Sequence, residues 1–269
     1  LPHGTVSVPE IHPAVKDIDK LTHLEKEYAS MVLRLDNTVG IIRNELESLG
    51  LLENTVFIFS SDNGHCIYYT EEGRTTGKTR WLDGTEIDDI KTRALTEKNG
   101  DIFNGNDGMS GVKRTSWEGG TRIPYIISWP KRIQPDTVSD HMIANYDLMP
   151  TLAEIAGVDM PEGKDGISFL PILLGENDRQ VDHNYVVYAS ALGPALVDRD
   201  GWKIRYINKT GDFQLYNLNK DYREERNLAD KNPEKVTELV TKLLKECDGN
   251  LIHGTPQLHV ANYAEDLLK

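Results

Sequence analysis

The sequence predicts an α/β fold, on three observations. A long amphipathic helix passes through a short turn into an apolar strand without alternation, which is half of a βαβ unit. A second apolar strand follows a Gly-Gly pair. After residue 184 the texture changes to short strands separated by Gly and Asp turns, which predicts a small antiparallel sheet with one helix.

The first helix spans residues 21–49. Leu24, Tyr28, Met31, Val32, Leu35, Val39, Ile42, Leu46 and Leu49 recur at steps of three and four and share one face. Thr22 and Glu25 have the spacing of a capping box, and Gly50 stands where a left-handed terminal residue is wanted. Residues 55–60, Thr-Val-Phe-Ile-Phe-Ser, are rich in strand formers. Residues 65–103 are polar, dense in Thr, Gly, Glu and Arg, and of a length that reads as a functional loop or insertion. Residues 123–129 form the second strand. Residues 146–156 form a short helix closed by Gly157, with Leu148, Leu152 and Ile155 facing inward. Strands follow at 185–189, 202–206 and 213–216. The last helix is capped by Asn232, opens on Pro233 and lines one side with Val236, Leu239, Val240, Leu243 and Leu244. Two units are expected, residues 1–180 and residues 181–269.

Composition narrows the function. Thirty basic against forty-three acidic residues give a net charge of −13 over 269 residues, which argues against a broad nucleic-acid-binding face. No apolar run reaches the ~18 residues of a membrane span, and the charged start does not read as a signal peptide. Cys66 and Cys247 are too few for a disulfide framework and lack zinc-site spacing. The start at Leu1, inside a Leu-Pro-His stretch, reads as interior sequence, so the chain is expected to be part of a longer gene product.

Three stretches could carry chemistry. Ser61-Asp62-Asn63-Gly64 follows the first strand directly, where ligands gather in open α/β sheets. Its carboxylate and carboxamide are hard oxygen donors suited to Ca²⁺ or Mg²⁺; taken alone, the tetrapeptide reads first as a turn. Lys113-Arg114-Thr115-Ser116-Trp117-Glu118-Gly119-Gly120-Thr121-Arg122-Ile123-Pro124 could present a compact cation to an oxyanion, with Glu118 and Arg122 locking the loop. Out of context it too reads as a solvated turn. Pro2-His3 precedes Val8-Pro9-Glu10, and a lone His is more often a surface or satisfied core group.

Together, in this order and spacing, these stretches resemble the sulfatase family of the alkaline-phosphatase-like superfamily. The 113–124 segment resembles the family's Lys-x-x-x-(Tyr/Trp)-Glu-Gly-Gly-x-Arg-x-Pro signature, and Ser61-Asp62-Asn63-Gly64 its second metal segment. Residues 144–152, 165–171 and 215–218 also look like the family. The resemblance implies an α/β sandwich with a mostly parallel sheet, joined to a small C-terminal α+β subdomain with an antiparallel sheet. It implies that Asp62 and Asn63 bind the divalent cation, usually Ca²⁺ with Mg²⁺ the alternative, and that Lys113 and His3 contact the sulfate. It places His65, Arg74, Lys78 and Arg80 near a substrate entrance only weakly. The substrate would be a sulfated small molecule or glycan, with no nucleic-acid partner and no membrane span. A secreted or periplasmic location follows from the resemblance alone.

One part of the pattern is missing. The family's nucleophile is a formylglycine made in a Cys/Ser-x-Pro/Ala-x-Arg motif, and neither Cys66 nor Cys247 is followed by it. The acidic pair Asp88-Asp89 has no apolar strand before it and reads as solvated loop. The nucleophile and the remaining ligands are expected upstream, in the amino-terminal half of the same protein. Relatives acting on phosphate diesters or phosphonates commonly carry Asp-His where Asp62-Asn63 stands, and the amide favours calcium and sulfate esters. A non-catalytic, glycan-binding relative is the reading from another class.

Overall fold

A computed structural model describes residues 10–65, 103–190 and 192–251. His3, Cys66, Arg74, Lys78, Arg80 and the Asp88-Asp89 pair lie outside them. The chain opens with a single helical turn, α1 (Pro13–Lys16), packed on the first half of α2 (His23–Ser48). Thr22 accepts from the Glu25 N–H at 3.3 Å while the Glu25 carboxylate accepts from the Thr22 N–H at 2.8 Å, so the expected capping box is formed. Gly50 ends the helix in the left-handed region, φ +68°.

The expected inward face of α2 is only partly covered. Leu21, Glu25 and Ser30 are buried, but Met31, Val32, Leu35, Ile42 and Leu49 are exposed, because no described element packs against them. No helix among the described residues is long and apolar enough to cross a membrane.

Strand β1 (Phe57–Ser60) pairs with β2 (Tyr125–Ser128), Phe57 opposite Ser128 and Ser60 opposite Tyr125. The pair is antiparallel, and no parallel pair occurs among the described residues. The local reason is the long connection: it leaves the carboxyl end of β1 and returns to the same end, where the Gly64 N–H donates to the Gly120 carbonyl at 3.0 Å. Just before β2 the chain makes one helical turn, α3 (Glu118–Thr121), at the Gly-Gly pair through which the strand was expected to be entered.

Helix α4 (Leu148–Ala156) is entered through a 3₁₀ turn at Asn145–Asp147 and closed by Gly157. Its buried positions are Pro150 and Thr151, whereas Leu152 is exposed. Asp147 decides that orientation. Its fully buried carboxylate accepts from the Ala144 and Ile167 N–H groups at 2.7 and 2.9 Å and meets His183 Nε2 at 2.8 Å, which turns this polar edge inward. A short turn of helix, α5 (Leu170–Leu173), follows.

The carboxy-terminal sheet is a four-stranded antiparallel meander: β3 (Tyr185–Tyr188), β4 (Ala195–Asp198), β5 (Trp202–Ile207) and β6 (Asp212–Asn217). Helix α6 (Pro233–Glu246) covers one face, burying Leu239 and Leu243 against Leu196, Ile204 and Leu215. Asn232 does not cap α6 with its side chain; its amide donates instead to the Leu228 carbonyl at 2.9 Å. Cys247 ends α6 inside this core, where burial, with Glu246 and Asp248 nearby, pushes its thiol above its ordinary value.

Burial on the two long helices is thus unequal, and substitution in the 269-residue chain reads it directly. Leu239→Ala, at a site with no exposure, is expected to cost about 2–5 kcal/mol in urea denaturation. Leu35→Ala, at a site 52% exposed, should cost less than about 1 kcal/mol. Equal losses would contradict the open face of α2.

Candidate active site

The corner after β1 and the loop before α3 are built as one unit. A side chain at Gly64 would place its Cβ 2.0 Å from the Gly119 carbonyl oxygen, and one at Gly119 would meet the Gly111 oxygen at 2.4 Å. Backbone therefore rests on backbone here, and only glycine permits the approach. The Lys113 N–H donates to the His65 carbonyl at 2.9 Å, a second tie between the two segments.

Between them lies a cavity of about 580 Å³, lined by Tyr28, Ser61, Asn63, His65, Lys113 and Arg122 among others. Asn63 and Lys113, singled out in the sequence for different roles, thus share one cavity. Asp62 is exposed and does not line the cavity; it is joined to the lining through the Asn63 amide, which donates to its carboxylate. The His65 ring sits against Gly105 and edge-on to Tyr28 on α2, at 6.2 Å. A larger hollow of about 680 Å³, lined by Tyr146, Leu148, Met149, Leu152 and Met160, holds none of these residues.

The donors at the corner fit a hard cation in kind. Asp62 and Asn63 are two oxygen ligands, short of the ~6–8 that Ca²⁺ takes. Among the described residues no cluster of three or more His, Cys, Asp or Glu side chains completes the set.

Behind the cavity stands a buried charge cluster in which Glu118 and Arg122, the pair expected to lock the loop, are joined by Lys203 and Glu224, which the sequence did not single out. Lys203 on β5 has no exposure and reaches Glu118 Oε1 at 2.9 Å and Glu224 Oε1 at 2.9 Å. The second contact is an ion pair off the hydrogen-bond direction. The other Glu224 oxygen accepts from the Glu118 N–H at 2.7 Å, and the other Glu118 oxygen accepts from Arg122 Nε at 2.9 Å. Burial would lift the Glu118 carboxyl, but the Lys203 and Arg122 charges outweigh it and hold it below its ordinary value. At Glu224 burial wins: with the Glu118 charge beside it, its carboxyl is pushed up, although Lys203 draws it down. Next to this cluster, the Arg205 guanidinium lies 3.6 Å over the Trp117 ring and bonds Ser116 and Gln214. The available signal was Lys203 and Arg205 alternating with Trp202, Ile204 and Tyr206 along one strand.

The chain matches two family profiles, one described as Sulfatase over residues 5–158 and one as N-sulphoglucosamine sulphohydrolase, C-terminal, over residues 109–250. It is 30% identical over 225 residues to the N-acetylgalactosamine-6-O-sulfatase of Bacteroides thetaiotaomicron, covering 78% of this chain and 39% of that one. It is 29% identical over 251 residues to a sulfatase of Formosa agariphila, with 84% and 39% covered. A solved structure titled for the metabolism of multiple glycosaminoglycans by Bacteroides thetaiotaomicron aligns with a TM-score of 0.63 at 27% identity, over 91% of this chain and 49% of that one. Ps i-CgsB, in complex with k-i-k-neocarrahexaose, shares the fold with a TM-score of 0.66 at 23% identity, over 98% and 51%. The chain therefore spans about half the length, or less, of these relatives.

The glycine contact is directly testable. Gly64→Ala must displace the Gly119–Gly120 backbone and is expected to destabilise the chain by about 2 kcal/mol or more in urea denaturation. Gly40→Ala, inside α2 with nothing within 4 Å of the added carbon, should stabilise it by about 0.5–1 kcal/mol. A neutral Gly64→Ala would mean that the two segments are not locked.

Proposed function

The chain belongs to the sulfatase family, and from that premise we infer that it is the carboxy-terminal portion of an enzyme hydrolysing sulfate esters of carbohydrates by a metal-assisted, formylglycine-dependent reaction. Residues 1–180 would supply part of the catalytic domain, and residues 181–269 the small subdomain behind it. The observation that carries the reading is the shared cavity of Asn63 and Lys113. Substrate class rests on relatives: the Bacteroides protein is named for a 6-sulfated amino sugar.

Asp62 and Asn63 would hold Ca²⁺, with Mg²⁺ the alternative. When bound, that cation would neutralise sulfate oxygens as the ester breaks. Lys113 would place its ammonium against the same oxygens, and His3 would add a hydrogen bond. Such charge is worth most in a cavity shielded from water. Cys247 lies in the α6 core, and neither it nor Cys66 opens a Cys-x-Pro/Ala-x-Arg motif, so the attacking group would come from the other portion of the protein.

Two outcomes follow. In the full-length protein, Lys113→Ala should lower kcat/KM toward an aryl sulfate by about 10²–10³-fold, as loss of one oxyanion donor does, with an unchanged thermal melt; an unchanged rate would remove Lys113 from the mechanism. The 269-residue chain alone should show no saturable sulfatase activity. Its calorimetric titration should give only weak Ca²⁺ binding, since two ligands leave most of the ion hydrated, and tight stoichiometric binding would refute the split ligand set.

A further inference from the structure

We propose that Lys203, on the far side of the cavity wall, is a positioning residue for Lys113: the carboxy-terminal sheet aims the sulfate-contacting ammonium through the Lys203–Glu118 pair. The proposal rests on the assignment of Lys113 above and adds a residue from outside the cavity.

The sheet has two working faces. Along β5, Ile204 and Tyr206 belong to the α6 core, while Lys203 and Arg205 face the other way, into the segment that carries Lys113. That segment is tied down at each end. The Arg114 carbonyl, next to Lys113, accepts from Ser190 Oγ at 2.8 Å, and Arg114 itself is held at φ +79°. Ser110 Oγ donates to the Arg223 carbonyl at 2.6 Å. Just beyond those ties Trp117 is clamped under Arg205, and Glu118 meets Lys203 and the Glu224 carboxylate. The Gly120 carbonyl then receives the Gly64 N–H of the Asp62-Asn63 corner. A continuous run of bonds thus joins Lys203 to both halves of the cavity.

Burial makes this more than packing. Lys203 and Arg205 have no exposure, Glu224 is 1% and Glu118 3% exposed. Buried ion pairs add little net stability, and apolar groups of equal volume would hold two layers together as well. What ions add is direction. Lys203 donates to Glu118, Glu118 takes Arg122 on its other oxygen, and Glu224 caps the first N–H of α3, so the turn has one orientation.

The test uses the full-length protein with Lys203→Met, Lys203→Arg, Glu224→Gln and, as a stability control, Leu239→Ala. Each is followed by amide hydrogen exchange and by aryl-sulfate kinetics per folded molecule. Lys203→Met is expected to speed exchange selectively across residues 110–122, leaving α6 unchanged. It should lower kcat by up to about 10²-fold, the cost of a misplaced catalytic group, with KM moving little. Lys203→Arg should restore most of both; Leu239→Ala should loosen α6 without changing kcat. If Lys203→Met does not fold, Glu224→Gln carries the same test, with selective loosening of 110–122 and a smaller fall in kcat. Unchanged exchange at 110–122, or a kcat loss matched by Leu239→Ala, overturns the proposal. An inactive wild-type enzyme would sink the sulfatase reading, while the exchange data would still decide whether Lys203 holds the loop.

Discussion

One ammonium between two carboxylates fixes the rest. Lys203 stands on the sheet, Glu118 opens the turn before β2, and Glu224 follows the last strand, so their meeting joins three distant stretches at a point shielded from water. Desolvating three charges is costly, and the cost is offset only when each is paired in good geometry. The pair divides unevenly. Glu118, with two cations on it, is held ionised, and Glu224 carries the penalty of burial. Glu118 pairs with Lys203 and Arg122 at once, and those contacts set where the Gly-Gly turn lies.

The glycines translate that placement into the cavity. Gly64 has no side chain to separate the corner from the Gly119–Gly120 turn, and Gly119 none to separate that turn from the 110–111 backbone, so the position of one backbone becomes the position of the next. Asp62-Asn63 and Lys113 are thereby held together by main chain, with the Gly64 and Lys113 N–H groups both engaged across the joint. The cation site and anion-facing ammonium proposed above would need that arrangement, since each would weaken if the other drifted by an ångström or two.

Much of this was legible in the sequence, where local rules and tertiary structure agree. The Thr22–Glu25 box, the left-handed Gly50 and Gly157, and the span of α6 all came from short-range chemistry. The resemblance, carried by motif order, implied that Asn63 and Lys113 serve one site, and they line one cavity; the backbone contact of Gly64 with the Gly-Gly turn was not foreseen. Long-range features escaped. β4 is four residues, Ala-Leu-Val-Asp, all buried, and a run so short has no period to read. Lys203 and Arg205 look like the solvent face of an alternating strand, and nothing local shows that Glu118 and Trp117 wait opposite. Asn232 has the right type for a cap but finds the Leu228 carbonyl instead. On α2 the periodicity gave the helix correctly, while coverage of its face depends on neighbours no window contains.

Net charge poses the remaining problem, since −13 should repel the sulfated ligand a sulfatase must admit. The answer lies in distance and dielectric. At physiological salt, exposed charges beyond about 8 Å are largely screened, so most of the surface carboxylates are weakly felt inside the cavity. Its described lining holds Lys113, Arg122 and His65 and no Asp or Glu. Glu118, which pairs with the lining residue Arg122, is buried with its charge already taken by Lys203 and Arg122. Asp62 lies exposed outside that lining, and on the proposed reading its carboxylate would serve an anionic ligand only with a cation bound to it. The local field is therefore set by these few groups, and the same buried pair that orients the loop also removes the carboxylate that would oppose the ligand.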